Sequence, residues 1–290
     1  MKNFIRAIVL ISMLSFFSIH QLIAQKDTTV RIMTTNIRYA NPNDGVNIWD
    51  NRKDWLCDNI KFMDIDMLGG QEVIYTQLQD MIQRLSDYAY VGVGRNGEDK
   101  GEFCPIFYKK DKYKLLDSDT FWLSETPDKV NSKGWDAALP RIVTWVKLKD
   151  VKTKQEFFFF NAHFDHKGKE ARLKSAELLM QQTKRIAGKV PFFVTGDFNF
   201  APSVKAYVIL TKQNSDNYVL EDSHTTAELV YGPKYTFNGF DLEPNPNRER
   251  IDYIFSHGKI KILKHHIVDG QRGKLFVSDH FPIVVDSRID

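Results

Sequence analysis

Cysteine is nearly absent. The 290 residues hold two, Cys57 and Cys104, far apart and without the paired spacing of a thiolate metal centre. A zinc ribbon is therefore excluded, a single disulfide stays chemically possible should the chain be exported, and two separate buried thiols are the expectation. Charge of one sign is also missing: 40 Lys and Arg stand against 37 Asp and Glu. That balance gives no whole-molecule signature of a polyanion binder and leaves room only for a local basic groove. Between Val30 and Asp290 there is no low-complexity linker, no repeat and no shift of composition, which argues for one domain. Nor does any uninterrupted apolar run span a membrane comfortably.

The longest such run, Ala7 to Ile19, follows Lys2 and Arg6 and leads to Leu22-Ile23-Ala24 before Gln25. A charged start, an apolar stretch and a small-residue cleavage site predict a secretory signal over residues 1–24, with a single domain at 25–290. A retained N-terminal anchor is the alternative. No Cys follows the run, so lipid attachment finds no support. Cleavage leaves 38 basic against 37 acidic residues, about +1. An exported monomer without a stable membrane partner is the expectation.

Periodicity orders the rest. Strands are predicted at Val30 to Arg38, around Met67-Leu68, and at Tyr88 to Val93, Phe103 to Lys109, Tyr113 to Leu123, Arg141 to Lys149 and Glu156 to Ala162. Helices are predicted at Asn51 to Met63, Thr76 to Leu85, Lys169 to Ala187 and Val204 to Leu210. Further strands follow at Pro191 to Val194, Ile251 to Ser256, Ile260 to Val268 and Phe281 to Asp286. The run Phe157 to Phe160 lacks alternation, so both of its faces are expected to be buried. Strands interleaved with helices early and late, and strand-rich in the middle, predict an α/β fold. The expected form is a four-layer α/β/β/α sandwich, two packed mixed β-sheets flanked by helices.

Polar residues end several of these strands. Asn36 and Arg38 close the first, Glu72 the second, and His163 and Asp165 the phenylalanine strand. Asp197 and Asn199 follow Pro191 to Val194, Asp252 opens Ile251 to Phe255, and Asp279-His280 precedes Phe281-Pro282. Each has a bland explanation alone: an Asx turn for Asp197-Phe198-Asn199, a core histidine for His163, a partner for Arg250 in Asp252. Together they suit phosphoester hydrolysis. A hard cation such as Mg²⁺ takes carboxylate oxygens, for which Glu72 is the candidate. Asn36, Asn199 and Arg141 would stabilise charge on the phosphoryl oxygens. His280, paired with a carboxylate, would accept the proton of an attacking water, and Asp197 would orient that water or share the base role.

Six motifs in order, Thr35-Asn36-Ile37-Arg38, Gly70-Gln71-Glu72, Asn161-Ala162-His163, Thr195 to Asn199, Arg250 to Ile254 and Ser278 to Pro282, resemble the endonuclease/exonuclease/phosphatase superfamily, whose fold is deoxyribonuclease-I-like. The resemblance covers nearly the whole mature chain. It implies divalent-metal-dependent hydrolysis (Mg²⁺ or Mn²⁺) of a phosphate ester, with nucleic acid or a small phosphorylated molecule as substrate. By motif, Glu72 is the metal ligand, with Asn36 and Asp279 near the ion. Asp197 and Asn199 position water and phosphate, Asp252 orients the catalytic His280, and His163 is a second phosphate-facing histidine. Abasic-site endonucleases carry Asp where Arg38 stands. Arg38 matches pancreatic-type deoxyribonucleases instead and puts a second carboxylate-bound metal in doubt. Glu102 occupies the place of their acid that orients the first histidine, and Arg141 that of their phosphate-contacting arginine.

Thr120 to Pro127, Gly134 to Arg141 and His163-Phe164-Asp165-His166 resemble a bacterial exported subgroup, which implies a periplasmic or extracellular location. Trp122 and Trp135 are expected in the core more than in a pocket. Asp165 and His166 either reach the site or cap the helix after Gly168. Shared motifs encode phosphate chemistry and leave the leaving group to loops, so nuclease, small-molecule or lipid-headgroup phosphatase and an inactive binding member all stay open.

Overall fold

The computed structural model describes residues 29–212, 218–243 and 245–290. The expected signal segment lies outside the described residues. Seven strands form the first sheet, in spatial order β10 (Leu229–Tyr231), β12 (Ile260–Ile267), β15 (Ile283–Ile289), β1 (Thr29–Asn36), β2 (Met67–Gln71), β4 (Ile106–Lys109) and β3 (Tyr88–Val91). Six form the second: β5 (Tyr113–Trp122), β6 (Ile142–Asp150), β7 (Glu156–His163), β8 (Phe192–Asp197), β11 (Asp252–His257) and β9 (Glu221–Asp222). A hairpin, β13 (Gln271–Arg272) with β14 (Leu275–Phe276), stands apart. The helices are α1 (Trp49–Phe62), α2 (Tyr75–Arg84), α3 (Lys169–Ala187), α4 (Lys205–Thr211) and α5 (Ser223–Thr226).

Strand period two explains the layers. Phe157 and Phe159 point into the core between the sheets, with Ile32, Met67, Phe193, Ile254 and Val285. Phe158 and Phe160 point outward, under Leu179, Met180 and the rest of the α3 side. Each of the four is buried, contributing about 2 kcal/mol apiece. On the far side, Met33, Leu68, Phe107 and Val284 meet Leu56, Ile60, Leu78 and Met81 of α1 and α2. Four layers result, two mixed sheets inside and helices outside, as the sequence pattern predicts.

Parallel pairs require crossovers, and the two long helices supply those for two of the three pairs, while β10 and β12 are joined through β11 of the other sheet. Helix α1 returns the chain so that β2 lies parallel to β1, and α3 does the same for β8 beside β7. Helix α3 stops where Gly188 takes φ 58° and donates its N–H to Lys184. Parallel neighbours end at the same edge of the sandwich, which gathers Asn36, Gln71, His163 and Asp197 there.

A polar tie joins the sheets near that edge. Asn161 Nδ2 donates to the carbonyls of Gly70 (2.8 Å) and Pro105 (3.0 Å), while its Oδ1 accepts from Gln71 Nε2 (2.7 Å) and Thr195 Oγ1 (3.2 Å). Both ends of the Asn161 amide are satisfied, as burial demands, while Gln71 Oε1 has no partner. Pro105 also explains a departure: the strand predicted from Phe103 begins at Ile106. Pro105 offers no N–H, and Phe103 forms only isolated bridges to Val73 and Gly94. Cys104 therefore lies outside regular strand, buried and free, as is Cys57 on α1.

Candidate active site

His163, Asp197 and Asp252 form one row across three adjacent strands, because β7 pairs His163 with Asp197 and β11 pairs Asp252 with Asp197. The first sheet contributes Asn36 from the end of β1, Glu72 after β2, and Asp279 and His280 ahead of β15. Two hydrogen bonds cross the seam: Asn36 Nδ2 donates to Asp197 Oδ2 (3.0 Å), and His280 Nδ1 meets Asp252 Oδ2 (2.8 Å). A cleft of about 550 Å³ opens over this row, lined also by Glu72, Glu102, Arg141, His166 and Phe237. Three of its residues hold left-handed backbone without being glycine: Arg38 (φ 58°), Glu72 (φ 59°) and Asn199 (φ 52°). Such conformations persist only where the surroundings impose them.

The acids and histidines are tuned apart. Burial pushes the Asp197 carboxyl up, the Asp252 carboxylate adds to the push, and the result is about 7. Burial opposes charge on His280, but Asp252, Asp197 and Asp279 outweigh it and raise the imidazole to about 10. His280 is thus a cation at neutral pH, aimed through Nε2 at Asp197 Oδ2 (3.9 Å). His163 goes the other way: burial, then Arg141 and Arg95, hold it well below its usual range. Its Nε2 faces Arg141 Nη1 at 3.0 Å, and arginine has only donors, so that nitrogen accepts.

Each expected residue has a place. Glu102 lies 3.8 Å from His163 Nδ1, beyond hydrogen-bond reach, while its Oε2 accepts from Arg95 Nη1 at 2.7 Å. Arg38 makes a two-pronged pair with Asp44 (3.0 and 3.1 Å) and stands 3.8 Å from Asp279. Asn199 lies past the end of β8, where alternation along the strand no longer sets its side. Its N–H closes an Asx turn on Asp197 Oδ1 (2.9 Å) and its Nδ2 donates to the Phe164 carbonyl (3.0 Å). Asp252 pairs with His280, and Arg250 turns instead to Asp222 (2.9 Å).

Asp165 caps the turn into α3 and also accepts from Arg141 Nε (3.3 Å), and His166 Nδ1 faces Arg141 Nη2 (2.9 Å). Both alternatives left open for this pair therefore hold, divided between two side chains. Phe237, unremarked in the sequence, sets its ring edge against His280 at 5.1 Å, and the bridge between their backbones fixes it there. Arg52 was equally silent. Completely buried, it donates to the carbonyls of Ile37 (2.8 Å) and Val277 (2.9 Å), clamping the segments that carry Arg38 and Asp279. Trp122 is buried, whereas Trp135 is only half-buried.

A cation fits the donor set. Glu72 and Asp279 bring carboxylates to one cleft, and burial followed by the Glu72 charge pushes Asp279 up, a repulsion that a divalent ion would relieve. Asn36 turns Nδ2 to Glu72 Oε1 (3.1 Å) and its oxygen accepts from the Arg38 N–H (2.9 Å), so it orients the carboxylates and keeps a second lone pair on that oxygen. The Asp197, Asp252 and His280 ligand atoms also lie within 4.8 Å of one another, but the 2.8 Å His280 to Asp252 contact is a hydrogen bond. A larger hollow of about 800 Å³ between the edges of β3 and β5 has neither histidine nor arginine in its lining.

Residues 33–280 match the Endonuclease/Exonuclease/phosphatase family. An endonuclease/exonuclease/phosphatase from Bacteroides vulgatus is 43% identical, with 91% of this chain and 100% of that chain covered and a TM-score of 0.87. A Bacteroides thetaiotaomicron mannosyl-6-phosphatase is 37% identical, with 89% and 99% covered and a TM-score of 0.82. Protein angel of Drosophila melanogaster is 25% identical over 175 residues, 58% of this chain and 48% of its own length. The chain spans less than half the length of the curated relatives it matches. On a match that runs from β1 to the histidine of the last motif, the chain belongs to the endonuclease/exonuclease/phosphatase family of phosphoester-hydrolysing enzymes.

Proposed function

We propose that this chain is an exported, Mg²⁺- or Mn²⁺-dependent phosphatase acting on a small phosphorylated molecule, a sugar phosphate in the first instance. The observation that carries the reading is the convergence of Asp197, His163, His280 and Arg141 on one cleft that also holds Glu72 and Asp279. The family uses divalent metals. A cation bound by Glu72 and Asp279 would neutralise charge on the phosphoryl oxygens.

The chain's own groups divide the remaining work. Asp197, buried and near neutrality, takes the proton from an attacking water. His280, positively charged and held by Asp252, contacts a phosphoryl oxygen, so the base role expected of it passes to Asp197. Arg141 presents a buried guanidinium beside His163 in the same cleft. Near-neutral composition favours a small substrate over a polynucleotide, and the mannosyl-6-phosphatase at 37% identity supports a sugar leaving group.

A panel of phosphomonoesters, sugar phosphates, plasmid DNA and RNA, each with and without Mg²⁺, tests the reading. Turnover of sugar phosphates above all others is expected, and DNA cleavage alone would overturn the substrate class. Glu72→Gln should raise the half-saturating metal concentration by about tenfold or more, and an unchanged metal titration would remove Glu72 as a ligand. Export is tested by mass spectrometry of the secreted form, with a start near Gln25 expected.

A further inference from the structure

Arg141 is 5% exposed, and the structure accounts for three of its five N–H groups. Nε donates to Asp165 Oδ2 (3.3 Å), Nη1 to His163 Nε2 (3.0 Å) and Nη2 to His166 Nδ1 (2.9 Å). One N–H is left on each terminal nitrogen. Because arginine can only donate, His166 Nδ1 must be unprotonated, and the neutral ring carries its proton on Nε2, the nitrogen not engaged by Arg141. That ring is exposed and lines the same cleft as Asp197 and His280. Its turn is pinned: Asp165 Oδ1 accepts the N–H groups of Lys167 (2.9 Å) and Gly168 (2.8 Å), and Arg172 Nη1 holds the Asp165 carbonyl (2.9 Å).

Arg141 and His166 line the same cleft, and once their mutual contacts are made three N–H donors remain, two on Arg141 and one on His166. A phosphomonoester offers three nonbridging oxygens and a diester two. We propose that His166 sets this site for phosphomonoesters: its Nδ1 positions Arg141, and its Nε2–H meets the oxygen that a diester replaces with a second ester link. The proposal rests on the phosphoesterase reading above and narrows it to one substrate class by a residue outside the six motifs' catalytic set.

Asparagine and glutamine separate the two jobs, since Asn puts an oxygen near the Nδ1 position and Gln a donor near Nε2. The assay compares p-nitrophenyl phosphate with bis-p-nitrophenyl phosphate under Mg²⁺, reading kcat and KM separately for wild type, His166→Ala, His166→Asn and His166→Gln. Calorimetric binding of inorganic phosphate adds a readout independent of turnover. His166→Ala should lower monoester kcat/KM by about 100-fold and the monoester-to-diester ratio by about tenfold, with weaker phosphate binding. His166→Asn should recover the loss shared by both esters and leave the ratio low, whereas His166→Gln should recover part of the ratio. An equal fall for both esters, or an unchanged ratio, overturns the proposal in favour of a structural role. Hydrolysis of neither ester by the wild type defeats the phosphoesterase reading itself, and with it this inference. The exposed ring makes unfolding of His166→Ala unexpected, and a thermal melt checks it.

Discussion

Asp252→Asn changes one atom and tests the tuning of the whole seam. His280 owes its elevation to about 10 chiefly to the Asp252 charge and hydrogen bond, working against burial. Asp197 sits at about 7 because of burial and, next, that same Asp252 charge. Removing the charge therefore lowers both groups: His280 loses its stabilised cation and Asp197 its repelling neighbour. Breaking a buried pair costs about 3–5 kcal/mol. Because Asn keeps the shape and retains an oxygen at the site, about 3 kcal/mol of folding stability should be lost, and, as a separate effect, weakening of the His280 donor should cost about 100-fold in kcat/KM. The direct assay is the ring-nitrogen chemical shift of His280 followed against pH in metal-free protein. Wild-type His280 should stay protonated well above neutrality, and the variant should titrate clearly lower. In kinetics, the acid and alkaline limbs of the pH profile should both move toward lower pH. An unchanged His280 titration, or an alkaline limb that stays in place, would refute this account of the site.

Asp197→Asn should reduce turnover by about 1000-fold or more while leaving the melting temperature equal or higher, since a buried carboxylate facing Asp252 disappears; a large loss of stability would argue against that repulsion. Gly69→Ala would place a Cβ 2.3 Å from Thr195 Oγ1 and 2.6 Å from Asn161 Oδ1, so a loss of about 3 kcal/mol is expected in urea denaturation. His265 is buried, with Nδ1 on Ser223 Oγ (2.9 Å); burial, then His224, hold it down to about 3. Its folded value lies below the unfolded one, so this stability is present above about pH 6.5 and lost as pH falls toward 3, by up to about 5 kcal/mol. His265→Gln should flatten that part of the acid dependence, and an identical profile would assign it to other groups.

What could be read without coordinates was periodic or sequential. Helix α3 begins and ends where its apolar stripe does, and the phenylalanine run faces both ways because period two leaves it no alternative. The strand-end acids, amides and histidines announced a site because such residues are poor core choices. Partnerships across loops left no such trace. Arg38 with Asp44, Arg95 with Glu102 and Arg250 with Asp222 depend on how turns bring charges together, and no local pattern encodes that. Asn199 reaches the cleft from a left-handed position after β8, a turn that strand alternation does not encode. Phe237 gave no signal either, since an aromatic in a polar loop reads alike whether it covers a histidine or a solvent-facing gap.

The tie formed by Asn161, Gln71 and Thr195 lies beneath the catalytic row, inside the sandwich, and none of its members belongs to a loop. Alignment of the two half-sites is thereby entrusted to the interior. Segments such as 94–102 and 124–140 can change length and composition while the distance between Asp197 and His280 stays constant. A lineage built on this frame can exchange leaving groups by rewriting its rim, and the reacting centre is spared the consequences of each experiment.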